Sequence, residues 1–323
     1  MPCPLFSRRA SRGRRRSSAT GSDLGWPSAG PVTVLILALL AGCGGADRED
    51  RDGRRTLNRV PGDFATLAEA IAAAVDGDTL ILAPGTHAGG ASLAGKGLTI
   101  ASEALLSGDT SVVRATILDG QDGDYVLFLP ETDAVAEIHG LTLRNADDCI
   151  YPNAHFRLIH SVIRECSDGV DYERGSGGLI SNSVFEDNRD DGIDLDADVA
   201  VVIESSLIRN NGQDGIEIRL MPWEGETREV VILGNHILGN GQDGIQFIDY
   251  EGLSKRHYRV ERNRIEGNAM AGIGCMDSED TNEDYRAASI PEPIVLVDNQ
   301  VTGNGRDLSC GTLGPGAQAY SSG

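Results

Sequence analysis

Five aspartates, Asp148, Asp168, Asp191, Asp214 and Asp243, recur at one position of a repeated pattern, just before the Gly of an Asp-Gly-apolar step or its equivalent. A second acidic set follows: Asp171, Asp194 and Glu217, then Gln246, with Glu173, Asp196, Arg219 and Ile248 two residues further on. Carboxylates that recur like this can do three kinds of chemistry. They can hold Ca²⁺, which takes several carboxylate oxygens at ~2.3–2.6 Å. They can act as an acid and base pair across a glycosidic bond, because groups on adjacent or alternate strands lie ~5 or ~9.5 Å apart, the retaining and inverting separations. They can also be turn residues, with each carboxylate bonded to local amides and splayed into solvent. Asp191, Asp194, Asp214, Glu217 and Arg219 are the catalytic candidates, and Asp168, Asp191, Asp194, Asp214, Glu217 and Asp243 the metal-ligating ones. Arg219 either serves the chemistry or neutralises the acids around it.

Such a column needs a scaffold that repeats, and the chain repeats from residue 138 onward. The unit reads apolar, two residues, Asn, three residues, Gly, apolar, as in Phe185–Ile193, Ile208–Ile216, Ile237–Ile245 and Ile265–Ile273. Related units place Ala146, Cys166 and Asn304 at the Asn position. The spacing of that column grows from 20 residues to 36, with the growth falling after the strand that follows each Gly. A second column, Leu141, Ser161, Ser183, Ser206, Asn235, Asn263 and Asn299, runs five residues ahead of the first. Between the columns apolar and polar residues alternate, as in strands with one buried face. Short alternating strands at this period, with Asn in the turns, describe the coils of a parallel β-helix. Asn tolerates left-handed turn geometry, and its amide can bond the Asn of the next coil. The L-x-x-L-x-L pattern of leucine-rich repeats is absent.

These units, with the opening FATLAEAIAAAVDGDTLILAPGTH, make residues 61–310 resemble the right-handed parallel β-helix proteins of the pectate-lyase-like superfamily. The resemblance implies an all-β solenoid of about ten coils with a short N-terminal capping helix. In the opening, Thr66 and Glu69 form a capping box for a helix over 67–75, and residues 80–82 read as a strand. The fold hosts lyases, hydrolases, esterases, epimerases and non-catalytic binders, so it does not by itself select an activity. In its calcium-dependent polysaccharide lyases, acids hold a metal that neutralises a uronate, and an Arg or Lys abstracts the proton. By that resemblance Arg219 would be the base. The Gly-His-Gly and Arg-Ile-Lys segments of polygalacturonases are missing, as are H-E-x-x-H, G-x-S-x-G and P-loop motifs.

The lengthened coils place loops at 220–229, 249–257 and 277–293, all after equivalent strands and therefore on one side. They carry Trp223, Tyr250, Tyr258 and Tyr285 in a chain with 5% aromatics, and rings beside carboxylates suit a sugar-binding surface. Cys275 and Cys310 share an inward position on the last two coils, where Cα atoms ~5 Å apart permit a disulfide. Cys149 and Cys166 are offset by three positions, so a bond between them needs help from the turn.

The formal net charge is −21, although six Arg fall between Arg8 and Arg16. A body that acidic is a poor partner for nucleic acid or anionic lipid. The apolar run Val32–Leu40 is too short to span a membrane and reads as the core of a signal peptide over 1–42. It ends in Leu40-Ala41-Gly42-Cys43, which resembles the lipobox of bacterial lipoproteins and implies acylation of Cys43. Residues 43–60 read as a lipid-anchored linker and 311–323 as a flexible tail. The sequence therefore predicts an exported lipoprotein of the cell envelope, anchored by lipid alone, whose β-helix binds or modifies a polysaccharide, with Ca²⁺ as the one expected cofactor. The competing class is a non-catalytic structural or interaction module of the cell surface.

Overall fold

The computed structural model describes residues 56–196, 198–250, 254–281 and 285–313. These all fall within one compact unit, Arg51–Gly323; the other unit, Met1–Asp50, lies outside the described residues, as do the expected signal peptide and Cys43.

The described chain is a parallel β-helix. One sheet of ten strands runs from Leu57–Val60 to Ile294–Val297, each strand one coil after the last. A 16-stranded sheet carries two further tracks that meet at the long strand Thr142–Pro152. One track is built of three-residue strands such as Val184–Glu186 and Leu207–Arg209. The other, called the site face below, runs through Asp168–Tyr172, Ile193–Leu195, Ile216–Leu220, Ile245–Asp249 and Ala271–Asp277 to Arg306–Ser309.

The alternation seen in the sequence turns every second side chain inward, and the registers stack like on like. On the site face Ile193, Ile216, Ile245 and Ile273 are paired in turn, and all are fully or almost fully buried. The short-strand track does the same with Phe185, Ile208, Ile237 and Ile265. Each full burial of such a side chain stabilises by roughly 1.5–3 kcal/mol, and each coil supplies one wall of its neighbour's core.

The corners are held by polar ladders. Asn188, Asn211, Asn240, Asn268 and Asn304 donate side chain to side chain, Nδ2 to Oδ1, at 3.0, 3.0, 2.9 and 2.8 Å. Each Oδ1 also accepts the backbone N–H of the preceding ladder residue, at 3.1 Å for Asn211 to Asn240. Asn235, Asn263 and Asn299 form the second ladder. The left-handed residue is not the ladder Asn, as the sequence suggested, but the residue before it. Glu165, Asp187, Asn210, Gly239 and Gly267 all have φ between 54 and 67°, and Asn182, Ser205, Gly234 and Arg262 precede the second ladder likewise. The chain turns its corner there, which leaves the following side chain pointing inward to bond the next coil.

The helix Leu67–Ala73 caps the N-terminal end, burying Leu67, Ala70 and Ile71, with the Glu69 amide on Thr66 Oγ1 at 3.2 Å. It ends two residues before the expected Val75, because Ala74 is extended and Lys96 Nζ takes the carbonyl of Ile71 at 2.6 Å. The β-helix begins earlier than expected. Leu57–Val60, assigned to the linker from its charged neighbourhood, pairs with Thr79–Leu82 and buries Val60 completely. At the other end Leu313 bridges Ile290, so the last coil extends into the expected tail.

Both cysteine pairs are disulfides. Cys275 and Cys310 are in-register neighbours with Cα atoms 4.8 Å apart, as expected. Cys149 and Cys166, at 5.6 Å, join the end of one coil's turn to the next because Cys166 takes the inward ladder position, where its amide donates to Asn188 Oδ1.

Candidate functional site

The five-aspartate column is in register: Asp148 pairs with Asp168, and the hydrogen bonds continue through Asp191 and Asp214 to Asp243. The carboxylates are not splayed into solvent. Asp191, Asp214 and Asp243 are buried, and one oxygen of each accepts the backbone N–H of the next coil. Asp168 Oδ1 accepts the amide of Asp191 at 3.0 Å, Asp191 that of Asp214 at 2.7 Å, Asp214 that of Asp243 at 2.6 Å, and Asp243 that of Ala271 at 2.6 Å. The column is thus a third ladder, built of acids where the corners use amides.

The second acidic set faces outward in one register row, Asp171, Asp194, Glu217 and Gln246, with Gly274 next. Arg219 stands among these acids. Its Nη1 is 2.6 Å from Asp194 Oδ2 and 2.8 Å from Asp196 Oδ1, and its Nη2 is 2.5 Å from Glu217 Oε1. Its backbone carbonyl accepts the guanidinium of Arg256, which is fully buried and lies 5.7 Å from the Tyr258 ring.

Burial and crowding raise several of these carboxyls. Burial, then the charge of Asp190, pushes Asp168 up to about 7. Burial, then Asp148 and Asp168, pushes Asp171 up to about 8. Burial also raises Asp191, Asp194, Asp214 and Glu217, opposed at Asp194 and Glu217 by Arg219. Burial alone would lower the guanidinium of Arg219, but Asp194, Glu217 and Asp196 outweigh it and hold the group well above its ordinary value. Arg219 is therefore held as a cation among three carboxylates, an arrangement that suits the neutralising alternative.

Asp191, Asp194 and Glu217 converge, each offering an oxygen within 4.8 Å of the others, and Asp171, Glu173 and Asp196 form a second such group. Asp194 Oδ1 is buried without a hydrogen-bond partner, as is Asp214 Oδ2. A hard cation that prefers oxygen fits this donor set, since it would satisfy the orphaned oxygen and discharge the crowded carboxyls. Asp168, Asp214 and Asp243 join neither group, and each already spends one oxygen on the backbone ladder.

The loop aromatics divide. Tyr258 is not at the surface: it fills the core, edge-on to Phe247 with ring centroids 5.3 Å apart, because it stands at an inward position of the alternating strand Arg256–Glu261. Trp223 folds onto its own loop, its Nε1 donating to the Glu226 carbonyl at 2.8 Å and its ring under Arg228 at 5.9 Å. Tyr285 reaches the site face, where its hydroxyl donates to Asp243 Oδ2 at 3.0 Å over the space that Gly274 leaves open. Tyr250, half-buried, lies within the field of Arg219, Glu217, Asp196 and Asp194.

Sequence reasoning missed Arg256, although its place in an alternating strand marks it as inward. It also missed Asp190, half-buried with an unpartnered Oδ1, and the half-buried rings of Tyr125, Phe128 and Tyr151. The first two of those rings precede the readable repeats, in a strand whose register shifts between Asp119 and Gly123.

The family described as right handed beta helix region matches residues 149–323, more than half of the chain. The chain belongs to the right handed beta helix family. Among solved structures, this family member is similar to a pectate lyase, with 15% identity, a TM-score of 0.59, and 82% of this chain and 78% of that one covered. It is similar to an alginate lyase from a Paenibacillus strain at 16% identity and a TM-score of 0.52, covering 82% of this chain and 99% of that one. A periplasmic alginate epimerase matches at 16% identity and a TM-score of 0.52, over 76% of this chain and 59% of that one. At these identities the likeness is one of fold. No curated protein sequence matches the chain.

Proposed function

We propose that this β-helix binds and modifies a carbohydrate polymer on the site face, and that Asp191, Asp194 and Glu217 hold Ca²⁺ there. The observation that carries this reading is the convergence of three buried carboxyls, one with an orphaned oxygen, beside a guanidinium held as a cation. Structural turn residues would face water or pair fully, and these do neither. The similar folds named as a pectate lyase, an alginate lyase and an alginate epimerase agree with a polymer as the substrate.

The chemistry that suits these groups is lyase chemistry on a uronate. Arg219 pairs with the sugar carboxylate, whose negative charge grows as the neighbouring C–H bond is broken. Asp190, with an unpartnered oxygen and a pKa raised by burial, takes that proton; the C–H electron pair forms the new double bond, the glycosidic C–O bond breaks, and the departing oxygen takes a proton from water. A bound Ca²⁺ would add charge stabilisation at the same carboxylate and relieve repulsion among the ladder acids. Export and lipidation at Cys43 would place this activity at the cell envelope.

The test is to incubate the protein with neutral and uronic polysaccharides, with Ca²⁺ or chelator, and score unsaturated ends, reducing ends and bound polymer together. Calcium-dependent unsaturated ends are the expected result. Reducing ends without unsaturation would replace the lyase by a hydrolase, retention without new ends would make this a binding module, and silence across the panel would overturn the reading.

A further inference from the structure

The outward register row that holds the acids does not begin with them. Phe128 pairs with Tyr151, and the pairing of Ile150 with Val170 sets Tyr151 beside Asp171, so two rings lead into Asp171, Asp194 and Glu217. Tyr125 adjoins them, and the ring centroids are 5.4 Å apart for Tyr125 and Phe128 and 5.8 Å for Phe128 and Tyr151. All three are half-buried and lie outside the core, to which Val126, Leu127 and Leu129 of the strand Thr116–Leu129 and Ile150 of the next coil belong. The stripe is joined to the acids by a hydrogen bond as well as by register: Tyr151 Oη donates to Glu173 Oε1 at 2.8 Å. That bond fixes the orientation of the phenol hydroxyl.

We infer that Tyr125, Phe128 and Tyr151 form a pyranose-binding subsite continuous with the acidic strip, so that the polymer runs along the axis of the β-helix. This rests on the polymer reading above and adds its direction and its second contact surface. Coils rise by ~4.8 Å, comparable with one pyranose unit of an extended chain, so a polymer lying along the axis meets about one coil per sugar. With a reacting sugar over Asp194 and Arg219, its neighbours toward the N-terminal coils fall at Tyr151 and Phe128, one and two coils beyond Asp171. Apolar ring surface beside fixed hydroxyl and carboxylate groups matches the mixed C–H and O–H surface of a sugar. The stripe is a single side chain wide for most of its length, far less than the ~800 Å² per partner of a standard protein interface, so a sugar chain is the occupant that fits.

The test measures calorimetric affinity of the whole protein, in Ca²⁺, for dimers, tetramers and hexamers of galacturonate, mannuronate and cello-oligosaccharide. Wild type should bind at least one hexamer about tenfold or more tighter than its dimer. Phe128→Ala, and Phe128→Leu, which keeps apolar volume without the ring, should remove most of that gain while leaving dimer affinity and the melting temperature close to wild type. Phe128→Trp should restore it. If both ring-removing variants keep the wild-type length dependence, the subsite is wrong and the polymer reading stands. If wild type binds no oligosaccharide of any length, both fall.

Discussion

Arg219 Nη1 lies 2.6 Å from Asp194 Oδ2, and the same guanidinium reaches Asp196 and Glu217, so one cation serves three carboxylates of the site face. Removing it would leave buried acids facing one another without an opposing charge. Arg219→Met should therefore destabilise the metal-free protein by on the order of 3 kcal/mol at pH 8, and by less at pH 5, toward which the raised carboxyls of Asp194 and Glu217 take up protons. Urea unfolding at the two pH values checks this, and equal losses at both would contradict it.

The raised carboxyls also set the pH dependence of the whole fold. Asp168 and Asp171 titrate at about 7 and about 8 in the folded chain and near ordinary carboxylate values when unfolded. The native state then holds more protons than the unfolded state between about pH 4 and 8, so this contribution is complete below that window and is lost as pH rises through it. In chelator, the melting temperature should fall from pH 5 to pH 9, and Ca²⁺ should recover most of the loss at the alkaline end. A melting temperature that rises over that range would rule out protonated acids on this face.

The architecture was legible in the sequence because each coil repeats the same inward and outward pattern. The Asn column, the Ser/Asn column and the Asp column each emerged as real ladders. What the sequence could not show was which atoms each ladder uses. From sequence, Asp214 is equally a metal ligand, a catalytic acid or a solvent-facing turn residue, because nothing in an Asp-Gly step reveals that its carboxylate will bond an amide 29 residues later. Tyr258 looked like a loop ring because the alternation of Arg256–Glu261 restarts after a long insertion, and the phase of that restart decides whether the ring points in or out. The Phe128 and Tyr151 pair was hidden for a related reason, since the register irregularity before Gly123 breaks the counting that aligned the later coils.

The Asn ladder makes a sharp energetic prediction. In Asn240→Ala, the backbone N–H and the Nδ2 of Asn211 lose their common acceptor, and both are buried. Leaving two buried donors unpaired should cost roughly 2–4 kcal/mol, read as a lower urea midpoint with little change in slope. A loss under about 1 kcal/mol would mean that water replaces the ladder.

The corner residues predict a change of the opposite sign. Arg262 holds φ at 53° where the two preceding coils use Gly234 and Ser205, and its weak ion pair with Glu261 spans 3.9 Å. Relief of the Cβ clash in the left-handed region should let Arg262→Gly stabilise the fold by about 0.5–1 kcal/mol, after the greater entropy of the unfolded glycine is subtracted. Differential scanning calorimetry would show it as a modest upward shift, and a downward shift would show that the Arg262 side chain contributes more than its backbone costs.

The most direct test of the account compares wild type with Glu217→Gln, which keeps the size of the side chain but removes one charge from the converging set and from the Arg219 network. Both proteins would be assayed with uronic polysaccharides in Ca²⁺, after their melting temperatures are shown to agree within a few degrees. The account predicts that wild type retains and modifies a polymer and that the variant loses at least tenfold in calcium-dependent turnover or retention. Equal activity in the two proteins would contradict it and return the acidic face to a purely structural role.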